Sequence, residues 1–329
     1  MQVISHPPSA VRHRFSMDNI CHTLVGAALA ECGLKKRTAL GSVTLMIAAN
    51  FPDVDVIAVP LGHSLGFRRG ITHGVPAMVV LPVVLTLFLL AWWRWRGRNG
   101  EPPKPKALLV LSAIGIATHP FLDWMNTYGM RWLMPIDPTW WYADTLFIVD
   151  PWIWLALGAG VWISRRRERR GMPSVAPSRM ALAGVAIYIA AMGALTVTAR
   201  QDVRAALAAR GVTPDTVVLE PAAGNPTRRR VTYLWDGSYR IADYRVFPPA
   251  LSEPWFTLPV NAEHPAAAVA NRTPQGREYH SWTRLPYYVI EPGSDTTWVT
   301  IGDARYSLDG RSSWAVVRIP VATALVPVQ

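Results

Sequence analysis

Long apolar runs without lysine or arginine dominate the first 200 residues of the chain. Three have about 20 residues each, the length at which a helix crosses the roughly 30 Å hydrocarbon core of a bilayer, and three shorter ones are marginal as spans. The long runs are residues 74–93, 145–164 and 180–199, and the shorter ones are residues 20–30, 38–52 and 107–122. The pattern predicts a mainly α-helical integral membrane domain, a helical bundle, over residues 17–199.

After residue 200 the pattern changes to the alternation of apolar and polar positions that is typical of half-buried strands. Residues 239–246 alternate in this way, and turn signals such as Asp236-Gly237 and Asp309-Gly310 separate the runs. Residues 200–329 are therefore predicted to form a small, mostly-β domain. Residues 1–16 lack a long apolar run and are predicted to be a disordered tail, with translation starting at Met17.

The basic residues indicate how the helical part is oriented. The chain has 33 Lys and Arg against 22 Asp and Glu, a formal net charge of +11, and the basic residues cluster at 35–37, 94–106 and 165–170. The positive-inside rule places these loops in the cytoplasm. Alternating crossings then place residues 51–73, residues 123–145 and the β domain outside. Since topology accounts for the charge, the bilayer is the expected partner and no nucleic acid is expected.

This topology brings ionisable side chains from five separate segments to the outer ends of the helices. Such groups are costly at membrane depth and are usually functional. The residues concerned are His22, Asp53, Asp55, His73, His119, Asp123, Asp144 and Asp150.

A divalent cation explains the cluster, because neighbouring carboxylates repel one another unless a cation holds them ionised. His119 and Asp123 are four residues apart, so both face one side of a helix. Imidazole and carboxylate ligands without thiolate suit zinc first and manganese second. We therefore expect one or two such ions.

Each residue also has a structural interpretation. Asp53 is an ordinary turn former after Pro52, and Asp144 and Asp150 could cap the fifth helix. Arg68 or Arg69 could hold an anionic group such as phosphate, or anchor the membrane interface. The other histidines are expected to be structural or exposed, namely His63, His264 and His280.

Five short motifs resemble those of the YdjM-like, membrane-bound metal-dependent hydrolases of bacteria, and together they cover roughly residues 17–165. They are residues 17–26, 49–55, 69–74, 119–129 and 144–152. The resemblance implies a protein of the bacterial inner membrane. That family is more remotely similar to zinc-dependent phospholipases C and fungal single-strand nucleases, which implies a phospholipase C-like helical core.

Carried over by position, the resemblance implies that His22, Asp55, His73, His119 and Asp123 are metal ligands, with Asp123 bridging. Asp55, Asp123 and Arg69 are expected to take part in catalysis. The sequence has no N-terminal tryptophan and no further histidine between Asp123 and Asp150, so two metal ions are the expected maximum.

Two functions follow from these expectations. The first is a membrane-bound hydrolase that cleaves a phosphoester, such as a phospholipid, at the outer membrane surface. The alternative is a non-enzymatic anchor, in which a structural metal supports an extracytoplasmic envelope or binding module. A transporter is a weaker third interpretation, because the polar residues lie at helix ends.

Overall fold

The computed structural model describes residues 18–61, 68–97, 100–311 and 315–326. The predicted tail, the start at Met17 and His63 lie outside these residues. The chain divides into two compact units. We call Asp18–Val231 with Ala242–Pro254 the helical unit, and Thr232–Ile241 with Trp255–Gln329 the β unit.

The described residues of the helical unit form six α-helices, together with 3₁₀ segments at Leu34–Arg37 and Phe51–Leu61. The helices are α1 (Asn19–Glu31), α2 (Gly41–Ala48), α3 (Val75–Trp95), α4 (Pro105–Met125), α5 (Pro151–Arg169) and α6 (Val175–Ala209). Three of them, α3, α4 and α6, are long and apolar enough to cross a membrane, counting the described residues alone.

The candidate spans differ in part from those predicted. Helices α3 and α6 cover the predicted runs 74–93 and 180–199. The segment 107–122, expected to be marginal, lies within α4, which has 21 residues and is a candidate span. The run 145–164 is not helical throughout, because Asp150 caps α5 and Pro151 occupies its first turn.

Small residues allow the helices of this unit to pack closely. A Cβ atom on Gly26 of α1 would lie 2.5 Å from the carbonyl oxygen of Leu45 in α2, and one on Gly115 of α4 would lie 2.5 Å from Ala48 Cβ. Close backbone approach through small residues is typical of membrane helices. The short helix α2 therefore packs tightly against both α1 and α4.

The C-terminal part is a β domain, as predicted, and its sheets are antiparallel. The strands are β1 (Val217–Ala222), β2 (Asn225–Trp235), β3 (Ser238–Arg245), β4 (Ala250–Leu251), β5 (Phe256–Pro259), β6 (Pro286–Glu291), β7 (Thr296–Asp303) and β8 (Val316–Ala322). One sheet has the order β1-β2-β3-β4 with β5 also paired to β3, and the other has the order β6-β7-β8. Helix α6 continues to Ala209, so the predicted domain boundary at residue 200 falls inside a helix.

The β unit also contains the short helices α7 (Pro265–Arg272) and α8 (Pro274–His280) and a buried ion pair. Asp303 accepts hydrogen bonds from the Arg305 guanidinium, from Thr283 Oγ1 and from the backbone N–H of Arg284. Burial raises the pKa of Asp303, but the charge and hydrogen bonds of Arg305 outweigh it and hold the pKa below its ordinary value. The pair is therefore ionised at neutral pH.

Candidate metal centre

Three segments of the helical unit bring four buried side chains together. His119 and Asp123 lie one turn apart near the C-terminal end of α4, Asp53 lies on the 3₁₀ segment Phe51–Leu61, and His73 lies just before α3. Each offers one ligand atom, and all four atoms lie within 4.8 Å of one another. The four side chains are between 0% and 6% exposed. This arrangement could hold a metal ion.

The distances between imidazoles and carboxylates are nearly equal. Asp53 Oδ1 lies 3.4 Å from Nε2 of both His73 and His119. Asp123 Oδ2 lies 3.5 Å from the same two nitrogens. The four atoms thus form a closed set in which each carboxylate oxygen faces both imidazoles.

Three of these atoms have no hydrogen-bond partner within the described part of the chain: His73 Nε2, His119 Nε2 and Asp123 Oδ2. Buried polar atoms normally have partners, so convergent orphan atoms need an explanation. The other ring nitrogen of His119, Nδ1, lies 2.7 Å from the carbonyl oxygen of Ala49. Because that oxygen can only accept, Nδ1 carries a proton, and Nε2 is the nitrogen that faces the group, as in a metal-ligating histidine.

Asp53 is the ligand candidate outside the helices. Its Oδ1 faces the imidazoles of His73 and His119. The Arg68 guanidinium also lies 3.3 Å from Asp53 Oδ1. Asp53 is therefore anionic, which suits a ligand for a cation.

Asp55, expected to be a ligand, lies behind His73 and outside the group of four. Its Oδ2 is 3.5 Å from His73 Nδ1 and accepts a hydrogen bond from the backbone N–H of Arg69 at 2.9 Å. Its Oδ1 lies 3.0 Å from Arg68 Nε. His73 Nδ1 also lies 3.0 Å from Thr72 Oγ1, so Thr72 and Asp55 together flank the ring nitrogen that faces away from the group and orient the imidazole.

His22 lies next to the group. Its ring stacks on that of His119 with 3.8 Å between the centroids, and its Nε2 is 3.5 Å from Asp123 Oδ1. Its Nδ1 has no hydrogen-bond partner among the residues described. His22 therefore contacts Asp123 Oδ1, whereas His73 faces Asp123 Oδ2.

Arg69 is buried and bonded to protein oxygens. Its Nη2 donates to Asp123 Oδ1 at 2.8 Å, and its Nη1 donates to Asn126 Oδ1 and to the Gly129 carbonyl oxygen. The guanidinium also lies over the Tyr128 ring. These contacts make Arg69 a positioning residue for Asp123.

The structure does not bring Asp144 and Asp150 into the group of four. Asp144 is fully buried and pairs with Arg200 Nη2 at 2.8 Å. Asp150 caps α5 by accepting hydrogen bonds from the backbone N–H groups of Trp152 and Ile153, and also accepts one from Tyr188. The capping interpretation accounts for Asp150.

A small cavity of about 20 Å³, lined in part by His22, Arg69, Asp123 and Asp150, lies beside the group. It has room for about one water molecule.

The sequence interpretation missed Asn126, which fixes Arg69, and Asp18, which caps α1 and accepts a hydrogen bond from Trp154 Nε1. Asn126 and Gly129 both accept hydrogen bonds from Arg69 and both lie within the 119–129 motif, so the sequence did contain a signal for these residues.

Together these observations define a membrane protein with a buried imidazole–carboxylate centre at the end of a candidate span. The chain belongs to the YdjM inner membrane protein family, whose model matches residues 17–202. This confirms the predicted family; hydrolase activity is a separate question.

The chain is also similar to the uncharacterized protein YfhP of Bacillus subtilis (strain 168). The two are 24% identical over an alignment of 167 residues, which covers 45% of this chain and 46% of that protein. The chain therefore spans about half the length of this relative. No solved structure matches the chain.

Proposed function

We propose that the protein is a membrane-bound, metal-dependent hydrolase that cleaves a phosphoester in a lipid at the outer surface of the inner membrane. The observation that carries the proposal is the group Asp53, His73, His119 and Asp123, whose buried orphan atoms converge at the end of α4. Two imidazoles and two carboxylates without thiolate resemble the ligand sets of catalytic zinc sites more than those of cysteine-rich structural sites.

The ligand types support zinc as the first choice of metal, because imidazole and carboxylate ligands without thiolate are typical of catalytic zinc sites. The four distances between imidazoles and carboxylates, 3.4–3.5 Å, are compatible with a tetrahedral site. Manganese is the second choice.

The chain's own residues have distinct parts in this proposal. Bound at the centre, the metal would lower the pKa of a water molecule and polarise the scissile oxygen. Arg69 fixes Asp123, and Asp55 orients His73. His22 lines the water-sized cavity beside Asp123 and is placed to hold a proton there.

The proposed location rests on the positive-inside rule. The loop between α3 and α4 is basic, and α6 follows the arginines at the end of α5, so these ends are assigned to the cytoplasm. The metal-centre end of α4 is then outside, and the chain must return before α6. Helix α5 lies between them. It is not one of the three described helices that are long and apolar enough to span a membrane, but the topology requires a crossing here, so we assign this crossing to α5. The β domain is then outside.

A second candidate function is supported by the burial of the centre. Structural metal sites are closed by four protein ligands, whereas catalytic sites keep a position for water. All four residues of the group are buried and could occupy four positions. On this alternative the metal stabilises a membrane anchor for the β domain.

Hydrolysis by the purified protein distinguishes the two candidates. The protein in nanodiscs, loaded with zinc or manganese, is given phospholipids and a chromogenic phosphodiester. Wild type is expected to release product and His119→Gln is expected not to. His264→Asn is the matched control, because asparagine can replace the α7 cap that His264 provides. If metal-loaded wild type cleaves neither substrate, while His119→Gln loses thermal stability, the structural alternative stands.

A further inference from the structure

Helices α4 and α6 enclose an apolar groove of about 710 Å³ within the helical unit. Phe121, Leu122 and Met125 of α4 form part of one wall, and Ile189, Gly193 and Val197 of α6 form part of the other. We call this feature the membrane groove. Both helices are candidate membrane spans, so the groove lies on membrane-spanning elements of the proposed topology.

The membrane groove is long enough to accept a lipid chain. Its lining on α6 extends from Leu182 to Arg200. A helix rises about 1.5 Å per residue, so this length is about 27 Å, close to the thickness of the hydrocarbon core. On α4 the lining extends only from Thr118 to Met125, so α6 supplies the long face of the groove, in the direction of the acyl chains, and α4 covers the part beside the metal centre.

One end of the membrane groove is cationic. Arg200 lines the groove and directly follows the apolar run 180–199 on α6, and Arg204 lies one turn further on the same helix face. The buried carboxylate of Asp144 holds Arg200 Nη2 at 2.8 Å, while the Arg200 side chain stays 37% exposed. A guanidinium fixed in this way and still accessible suits a phosphate oxygen.

The membrane groove also adjoins the metal centre. Leu122 lines both the groove and the water-sized cavity that contains His22 and Asp123. His119 and Asp123 lie on the same helix as the groove residues Phe121 and Leu122. A molecule in the groove is therefore separated from the cavity by one side chain.

We propose that the membrane groove binds one acyl chain of a bilayer glycerophospholipid, with its phosphate at Arg200 and Arg204. The groove's depth and apolar lining fit the chain, and the two arginines complement the phosphate charge. The inference deepens the proposed function, on which it rests, by naming a two-part substrate: an acyl chain and an anionic glycerol phosphate.

The test uses full-length protein in nanodiscs that contain phosphatidylglycerol with a photoactivatable diazirine in the middle of one acyl chain. Cross-linked peptides are mapped by mass spectrometry. Labelling is expected to concentrate on the groove faces of α4 and α6. Gly193→Phe fills the groove, because a Cβ there would meet only Thr145 at 4.0 Å, and is expected to lower groove labelling by about tenfold as methylene contacts are lost.

The matched control is Gly184→Phe on the same helix. Gly184 is exposed and does not line the groove, and a Cβ there has no neighbour within 4 Å in the described structure. This variant is expected to label like wild type. Arg200→Gln with Arg204→Gln is expected to weaken labelling by the phosphatidylglycerol probe while leaving that by a diacylglycerol probe with the same chain unchanged.

The outcomes separate this inference from the proposed function. Labelling spread evenly over the lipid-facing helix surfaces and insensitive to Gly193→Phe would overturn the membrane groove as a site. Groove labelling that follows the variants, in a protein that hydrolyses no phosphoester, would support a lipid-binding groove and overturn the hydrolase proposal. Asp123→Asn is expected to abolish hydrolysis and keep groove labelling.

Discussion

At the scale of single residues, Arg69 shows how the centre is held in place. It is the buried partner of Asp123 Oδ1, and its backbone has a φ of 52°, a left-handed conformation that is uncommon for residues other than glycine. Its backbone N–H also donates to Asp55. One residue thus connects a proposed ligand to the carboxylate that orients His73.

Replacing this residue by lysine is expected to weaken metal binding without unfolding the protein. Arg69→Lys keeps the charge but loses the forked contacts to Asp123, Asn126 and Gly129. Loss of an orienting partner lowers metal affinity by about 10–100-fold. Competition with a chelator measures this affinity. Arg94→Lys, an exposed substitution at the end of α3, is the control, and equal affinities in the two variants would argue against the positioning role.

The ligand types and the His119–Asp123 pair could be predicted from the sequence, because helical spacing alone places those two side chains on one face. The different positions of Asp53 and Asp55 relative to the metal centre could not be predicted from the sequence. Both follow Pro52 within a few residues, and which one faces the imidazoles depends on how the segment before α3 packs beside them. That packing is tertiary and leaves no local pattern.

At the scale of elements, Asp150 starts α5. Its Oδ1 accepts hydrogen bonds from the backbone N–H groups of Trp152 and Ile153 at 3.0 and 3.3 Å. Asp150→Ala is expected to cost about 1 kcal/mol of stability, and Asp150→Asn less, because asparagine also caps helices. Thermal unfolding measures the difference. Metal content is expected to be unchanged in both variants, and its loss in either would make Asp150 a ligand.

The contact between α1 and α2 makes a second prediction at this scale. A methyl group at Gly26 would meet the backbone of Leu45 at 2.5 Å, so Gly26→Ala forces the helices apart. The expected destabilisation is about 1–3 kcal/mol. Gly184→Ala on α6 meets nothing within 4 Å among the described residues and is expected to be neutral or stabilising. Thermal unfolding of both variants is the measurement, and equal stability would contradict this account of the packing.

The sequence predicted α3 and most of α6 well, because unbroken apolar runs of sufficient length have one simple interpretation. It underestimated α4, whose polar His119 and Asp123 interrupt the apolar pattern near its end. It overestimated the helical length of 145–164, because apolar residues continue through the non-helical residues that precede the cap. Both differences arise at polar residues that interrupt the apolar pattern. His119 and Asp123 belong to the metal centre, and Asp150 caps α5.

At the scale of the whole molecule, the proposed topology can be tested in intact cells. In a Cys32→Ser background, Asp295→Cys places a thiol at an exposed position before β7, and Met172→Cys places one at an exposed position before α6. A membrane-impermeant maleimide is expected to label position 295 in spheroplasts and position 172 only after lysis. The reverse pattern would place the β domain in the cytoplasm.

The change from apolar runs to alternation was enough to predict a helical part followed by a mostly-β part. It could not give the end of α6, since Arg200, Gln201, Asp202 and Arg204 interrupt the apolar run and yet the helix continues to Ala209. The pairing of strands was also beyond the sequence, because β5 returns to pair with β3 and not with its neighbour β4. Such pairings depend on contacts that alternation does not encode.

The central claim is that the chain binds a divalent metal through Asp53, His73, His119 and Asp123. The most direct test is the metal content of the detergent-purified protein by mass spectrometry, with wild type measured beside Asp123→Asn and the control His264→Asn. We expect one or two equivalents of zinc or manganese in wild type and control, and a loss in Asp123→Asn while it remains folded. A wild-type protein that holds no metal even after reconstitution would contradict the claim.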